Sequence, residues 1–245
     1  MSRGAGRGNE AATKNRKGAL HHADSLVELF PASQPHRTSV VVSLCDLTGN
    51  MVRPWADAGY ECWCVDTQHS LRNDRTEGNI TYTWGDIRSW CPPARIRDRI
   101  GIVFAFPPCT HVAVSGARDF RKKRNVLLRD ALELFAACEM VAAWSGAPYM
   151  IENPVGKFSD HMGLPNYTFQ PWHFGDAWTK KTCLWTGNGF VMPLPRFAEP
   201  GDEVKPRIWM ASPGPNRANV RSATPPGFAA AVFEANAALV KSREA

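Results

Sequence analysis

SVVVSLCDLTGN, residues 39–50, decides the fold. Its first part, SVVVSLCD (39–46), is a continuous apolar, β-branched run. Such runs occur in strands buried on both faces, because a strand with one wet face alternates apolar and polar residues. The run breaks at Thr48-Gly49-Asn50, and a helical stretch follows through Trp55 and Ala58. A strand, a single-glycine turn and a helix is the opening unit of a wound α/β sheet.

The same grammar repeats outward. YECWCVD (60–66) reads as a second strand ending on an aspartate, and ITYTW (80–84) leads into Gly85-Asp86-Ile87. IGIVFAF (100–106) runs into Pro107-Pro108-Cys109. From about Arg124 to Trp144 the residues Leu127, Leu128, Ala131, Leu134, Phe135, Cys138 and Val141 recur at helical spacing. PYMIE (148–152) is the next strand and ends in Asn153-Pro154. Strands alternating with helices predict an α/β fold, a mostly parallel Rossmann-like sheet with helices on both faces. Beyond residue 160, NYTFQPWHFG and KKTCLWTG read as antiparallel strands, and Pro/Gly-rich loop fills roughly 187–216. TPPGFAAAVFEANAALV (224–240) is an Ala-rich helix entered through prolines.

A chain of 245 residues suits one such domain with small appendages. Residues 1–37 read as a basic, disordered tail, within which Leu20, Leu26, Val27, Leu29 and Phe30 outline a short amphipathic helix. Residues 38–245 are the single domain. No apolar run approaches the roughly 20 residues of a membrane span, and the N-terminus lacks a signal core. The cysteines number 7, an odd and scattered set, which points to reduced thiols in a cytoplasmic protein. A net charge of +6 points to a polyanionic partner.

Ligands of wound sheets bind beyond the carboxyl ends of the strands. Here those exits carry Asp46, Asp66, Asp86, Cys109 and Glu152. The loop DLTGN (46–50) has neither GxGxxG nor GxxxxGK[ST], so it suits a ligand without a phosphate chain. Asp66 is placed to accept from a ribose diol and Asp86 from an adenine amine, which together suit S-adenosylmethionine. Either aspartate alone also reads as a plain loop or cap residue. Cys109 differs from Cys45, Cys62, Cys64 and Cys138, which sit in apolar runs. Pro107 and Pro108 fix the backbone before it, and small polar residues follow it. A thiolate there is a nucleophile, and Glu152, one crossover later, is a neighbouring carboxyl for a ring nitrogen. An ion-pair or cap role for Glu152 is the alternative. Cys62-x-Cys64 lacks a second pair at ligand spacing, so no metal site is expected. Arg118, Arg121, Lys122, Lys123, Arg124 and Arg129 form the densest basic run, with Lys180 and Lys181 as a second cluster. Phosphate contacts or a solvated face both account for such runs.

These residues carry a resemblance. The chain resembles the DNA cytosine-5 methyltransferases, in a compact form like those of phages and prophages, over roughly residues 39–240. DLTGN, Asp66 and GDI (85–87) look like the family's cofactor motifs, PPC (107–109) like its catalytic loop, and ENP (152–154) stands where the family has Glu-Asn-Val. RSATPPGFAAAVFEAN (221–236) looks like the closing motif that completes the cofactor pocket. The resemblance implies S-adenosylmethionine bound by Asp46, Leu47, Thr48, Gly49, Asp66, Asp86, Ile87, Pro107 and Thr224. It implies addition of Cys109 to C6 of a flipped cytosine, with Glu152 on N3 and the amine. It also implies double-stranded DNA as partner, held by the two basic clusters. The glycines before PPC are replaced by Ala105 and Phe106, and the Gln-x-Arg-x-Arg motif by TKKT (179–182). No full target-recognition domain fits in 187–220, so short or loose specificity, or a partner chain, is expected. RNA, a nucleotide, a modified donor or an inactive binding protein are the competing readings.

Overall fold

The computed structural model describes residues 38–113, 125–206 and 217–244. Eight strands form one sheet: β1 (Val40–Leu44), β2 (Glu61–Asp66), β3 (Arg75–Glu77), β4 (Ile80–Trp84), β5 (Ile100–Ala105), β6 (Tyr149–Pro154), β7 (Tyr167–Phe169) and β8 (Thr182–Gly187). Their order is β3-β4-β2-β1-β5-β6-β8-β7. The central five, β4-β2-β1-β5-β6, run parallel, while β3, β8 and β7 are antiparallel to their neighbours. This is the mostly parallel, Rossmann-like sheet expected from the sequence, with its winding direction switching between β1 and β5.

Why β1 is central follows from its composition. All five of its residues are fully buried, and their period-two alternation serves two cores at once. Val41 joins Cys62, Cys64, Ile102 and Phe104 on one face, covered by α1 (Arg53–Asp57) and α6 (Pro226–Ser242) through Trp55, Phe228 and Val232. Val40, Val42 and Leu44 join Trp63, Val65 and Val103 on the other. There α2 (Ala94–Arg97), α3 (Asn125–Ser145) and α4 (Phe158–His161) supply Ile96, Phe135, Cys138 and Phe158. Trp55 is sealed among Tyr60, Phe104 and Phe233, with ring centroids 5.1 to 6.0 Å away. Truncating so large a sealed ring costs about 3–5 kcal/mol. Two short α helices, α2 and α4, were not foreseen from the periodicity, being about one turn each.

The far end of the sheet departs from expectation in detail. NYTFQPWHFG yields only the three residues of β7, because Pro171 removes a ladder donor and opens a 3-10 turn over Pro171–Phe174. The described part of the expected loop, 188–206, contains no helix or strand. It is laid along α6, where Asn236 accepts from the Val191 N–H at 2.9 Å and donates to the Val191 carbonyl at 2.8 Å. A helix not foreseen, α5 (Arg217–Ser222), follows. No helix among the described residues is long and apolar enough to cross a membrane. The expected N-terminal tail lies outside the described residues.

Candidate active site

The exit of β1 is organised by one carboxylate. Asp46 is 4% exposed. Its Oδ1 accepts from the N–H groups of Thr48 (3.0 Å) and Gly49 (2.8 Å) and from the Thr48 hydroxyl (3.2 Å). Its Oδ2 accepts from Ser43 at 2.7 Å. Asp46 therefore shapes the loop, and the backbone donors that a phosphate chain would need are already engaged. Leu47 and Thr48 are half-buried on the same turn. Gly49 is required: its φ is +68°, and a Cβ would stand 2.7 Å from the Tyr82 hydroxyl.

Asp66 and Asp86 differ from each other. Asp66, at the exit of β2, is 8% exposed and accepts the Gln68 N–H at 2.8 Å. Burial pushes its carboxyl up, against the pull of Gln68 and His69. Asp86 is held instead in a bidentate pair with Arg88, at 2.9 Å and 2.6 Å, and Arg88 lowers its carboxyl. Arg88 also reaches Asp130 of α3. Ile87 is packed in the α3-side core. The closing segment meets the first loop, since Asn50 donates to the Thr224 carbonyl at 3.5 Å. His69 was not foreseen: its Nε2 lies 3.1 Å from the Asp46 carbonyl and its ring abuts Tyr82. The only signal for it in the sequence is its place three residues beyond Asp66.

The second half of the rim gathers Cys109, Glu152 and Lys180. Asn153, 1% exposed, donates to the Pro107 carbonyl at 2.6 Å and so clamps the catalytic-loop candidate to β6. After Cys109 the chain turns tightly, its carbonyl accepting from Val112 (3.0 Å) and Ala113 (2.9 Å). That turn seats on Gly156, where a Cβ would stand 2.2 Å from the Val112 oxygen. Glu152, 9% exposed, accepts from Lys180 Nζ at 3.2 Å. The antiparallel pairing of β8 with β6 explains this: Pro154 pairs with Thr182, so the entry of one strand meets the exit of the other. Lys180 was expected among phosphate-contacting residues. Its side chain is only 11% exposed and bonded to Glu152, so it belongs to the site. Lys181, by the period-two rule, points outward and is exposed. Arg118, Arg121, Lys122, Lys123 and Arg124 lie outside the described residues. Arg129 is exposed on α3 and pairs with Glu133.

Charge around the thiol is mixed. Burial, then the Glu152 carboxylate, raise the half-buried Cys109 thiol above its ordinary range, while Lys180 and Arg221 pull it down. Cys45, Cys62 and Cys64 are raised as well, chiefly by burial for the latter two and by contact with Cys138 for the first, which suits inert thiols. All seven cysteines are free.

Five enclosed side-chain atoms lack a hydrogen-bond partner among the described residues. Two of them lie next to the Cys109 loop: His111 Nδ1, two residues on, and Asn153 Oδ1, whose amide holds Pro107; a third is Arg221 Nε. Native proteins satisfy nearly all such atoms, with protein groups, water or a ligand. A cavity of about 380 Å³ also lies beyond β4, lined by Leu71, Asp74 and Trp84 among others. It contains none of the expected site residues, and the converging chemistry lies on the rim instead.

No protein-family model matches the sequence. No curated protein matches it either. Among solved structures, the chain is similar to magnesium protoporphyrin IX methyltransferase (ChlM) from Synechocystis PCC 6803 with bound SAH, at 13% identity and a TM-score of 0.30. That alignment covers 55% of this chain and 55% of the other. It is also similar to the glycopeptide N-methyltransferase MtfA, at 13% identity and a TM-score of 0.29, over 62% and 57% of the two chains. This chain thus spans little more than half the length of either. The fold assignment rests on the strand order.

Proposed function

We propose that the chain is an S-adenosylmethionine-dependent methyltransferase acting at C5 of cytosine in DNA, with Cys109 as nucleophile. The observation that carries this reading is the meeting of Cys109, Glu152 and Lys180 at the exits of β5 and β6. The rest of the rim supports the donor. A loop whose backbone donors are held by Asp46 suits an adenosyl ligand without phosphates, and buried Asp66 suits a ribose diol. Asp46, Leu47, Thr48, Gly49, Asp66 and Thr224 would hold it, with Asp86 shared between Arg88 and the adenine amine. When bound, that group supplies an electrophilic methyl.

The protein's own part follows from its chemistry. Cys109 Sγ adds to C6 as its proton passes through Glu152 to N3, and the C5=C6 pair shifts toward C5. C5 thereby becomes the carbon nucleophile. After alkylation, water takes the C5 proton, the C6–S bond breaks to release Cys109, and N3 returns its proton through Glu152 to the thiolate. Lys180 keeps Glu152 aimed into the site and partly offsets the effect of its charge on the thiol. The base must leave its stack, at a cost of a few kcal/mol. DNA as partner rests on the net charge and on the basic run at 118–124.

The test is transfer of label from S-adenosylmethionine to duplex DNA, digested to nucleosides and read by mass spectrometry. Label at C5 of cytosine, lost in Cys109→Ser, is expected. Label on an exocyclic amine, retained in that variant, would overturn the reading.

A further inference from the structure

Arg221 is the least compensated charge on the rim. It sits in the last turn of α5, half-buried, and its Nε is enclosed without a hydrogen-bond partner. Among the described residues it joins no ion pair, whereas Lys180 has Glu152 and Arg88 has Asp86. Its position is fixed from both sides. Two residues before it, Asn219 donates to Gln68 beyond β2 at 3.3 Å. Three residues after it, the Thr224 carbonyl accepts from Asn50 beyond β1 at 3.5 Å. α5 is therefore tied to the loops that follow β1 and β2, on the same rim as the strand exits, and the Arg221 charge lowers the Cys109 thiol.

A half-buried guanidinium with an enclosed, unpartnered Nε is suited to an anion, because its planar fork matches carboxylate and phosphate oxygens. We propose that Arg221 is an anion-binding residue of the site, seating an oxyanion of the ligand beside Cys109. The oxyanion is either the phosphate of the target nucleotide or the carboxylate of the donor's amino-acid part. The inference rests on the reading of Cys109 as the nucleophile toward a nucleotide.

The experiment compares alkylation of Cys109 by iodoacetate and by iodoacetamide in the full chain, followed by peptide mass spectrometry. Both reagents attack the same thiolate, so their rate ratio reports attraction of the anionic reagent and not thiol acidity. The free thiol N-acetylcysteinamide is the standard, since Cys91 itself lies 3.7 Å from an Arg97 nitrogen. Relative to that standard, the ratio at Cys109 is expected to be higher by about fivefold, to collapse in Arg221→Gln and to survive partly in Arg221→Lys. Inorganic phosphate should suppress the iodoacetate reaction at Cys109 in the unmodified chain. That measurement stands even where a variant does not fold. Equal ratios in the unmodified chain and Arg221→Gln, or no effect of phosphate, would overturn the proposal.

Protection by dCMP beyond that by deoxycytidine assigns the phosphate. Protection by S-adenosylhomocysteine beyond that by methylthioadenosine assigns the carboxylate. Protection in neither pair would again overturn it. A preserved ratio without methyl transfer would sink only the proposed function. Methyl transfer with an unchanged ratio in Arg221→Gln would sink only the anion site.

Discussion

The two halves of the rim are built on opposite terms. At the exits of β1, β2 and β4 the polar groups are largely satisfied by the chain itself: Asp46 by four donors and Asp86 by Arg88. At the exits of β5 and β6 the same fold leaves enclosed atoms of His111 and Asn153 unpartnered. The first half holds its shape without a ligand. The second is incomplete by itself, and such local deficits concentrate where function is placed. Asp66 stands between them, buried with one backbone donor and a raised carboxyl.

The sharpest way to break the comparison is Cys109→Ser. Transfer should fall by at least about a thousandfold while unfolding by urea changes by less than about 1 kcal/mol, since a half-buried thiol contributes little packing. A loss of stability equal to the loss of activity would make the second half structural.

The mirror experiment is Asp46→Ala. It strands several loop donors at once and should lower stability by about 3 kcal/mol in urea titrations. A shift below about 1 kcal/mol would mean that the loop does not depend on its carboxylate.

Within the second half, Glu152→Gln removes a like charge from beside the thiolate. The thiol should move down, and iodoacetamide should label Cys109 faster at neutral pH, by about fivefold. Lys180→Gln should do the reverse. The pair of variants moving together would refute the mixed-charge account.

The smallest effect is expected at Asp66. Its folded carboxyl is raised, so stability is lost as pH rises from the ordinary carboxylate value through the raised one. Asp66→Asn should therefore unfold later than the unmodified chain at neutral pH, by about 1 kcal/mol, with the gap closing as the pH falls through the carboxylate range. A gap independent of pH would point to hydrogen bonding instead of charge.

Much of this contrast is legible in the sequence. The strand exits at Asp46, Asp66, Cys109 and Glu152 follow from runs such as VVVSL, because burial on both faces leaves an unmistakable apolar signature. Lys180 was harder to place. Adjacent lysines look alike in sequence, and only the antiparallel register of β8 turns one inward and the other out. Arg221 and His69 were invisible for a related reason. His69 meets Asp46 and Tyr82, and Arg221 rides on a helix held to Gln68 by Asn219, so nothing local in the sequence marks either residue. Asp86 reads as a free acceptor because its partner, Arg88, lies two residues away where local pairing leaves no pattern.

The reversed last strand has a consequence for how such a chain changes over time. Glu152 and Lys180 are held opposite one another by a ladder running from Tyr149↔Gly187 to Pro154↔Thr182. The stretch between those strands also reaches the site, with Gly156 seating the turn after Cys109 and Gln170 accepting the Lys180 N–H at 2.8 Å, so only the turn between α4 and β7 can lengthen or shorten freely. Insertions and deletions in that turn are thus insulated from the placement of Cys109, Glu152 and Lys180, which leaves it free to diversify while the candidate site stays fixed.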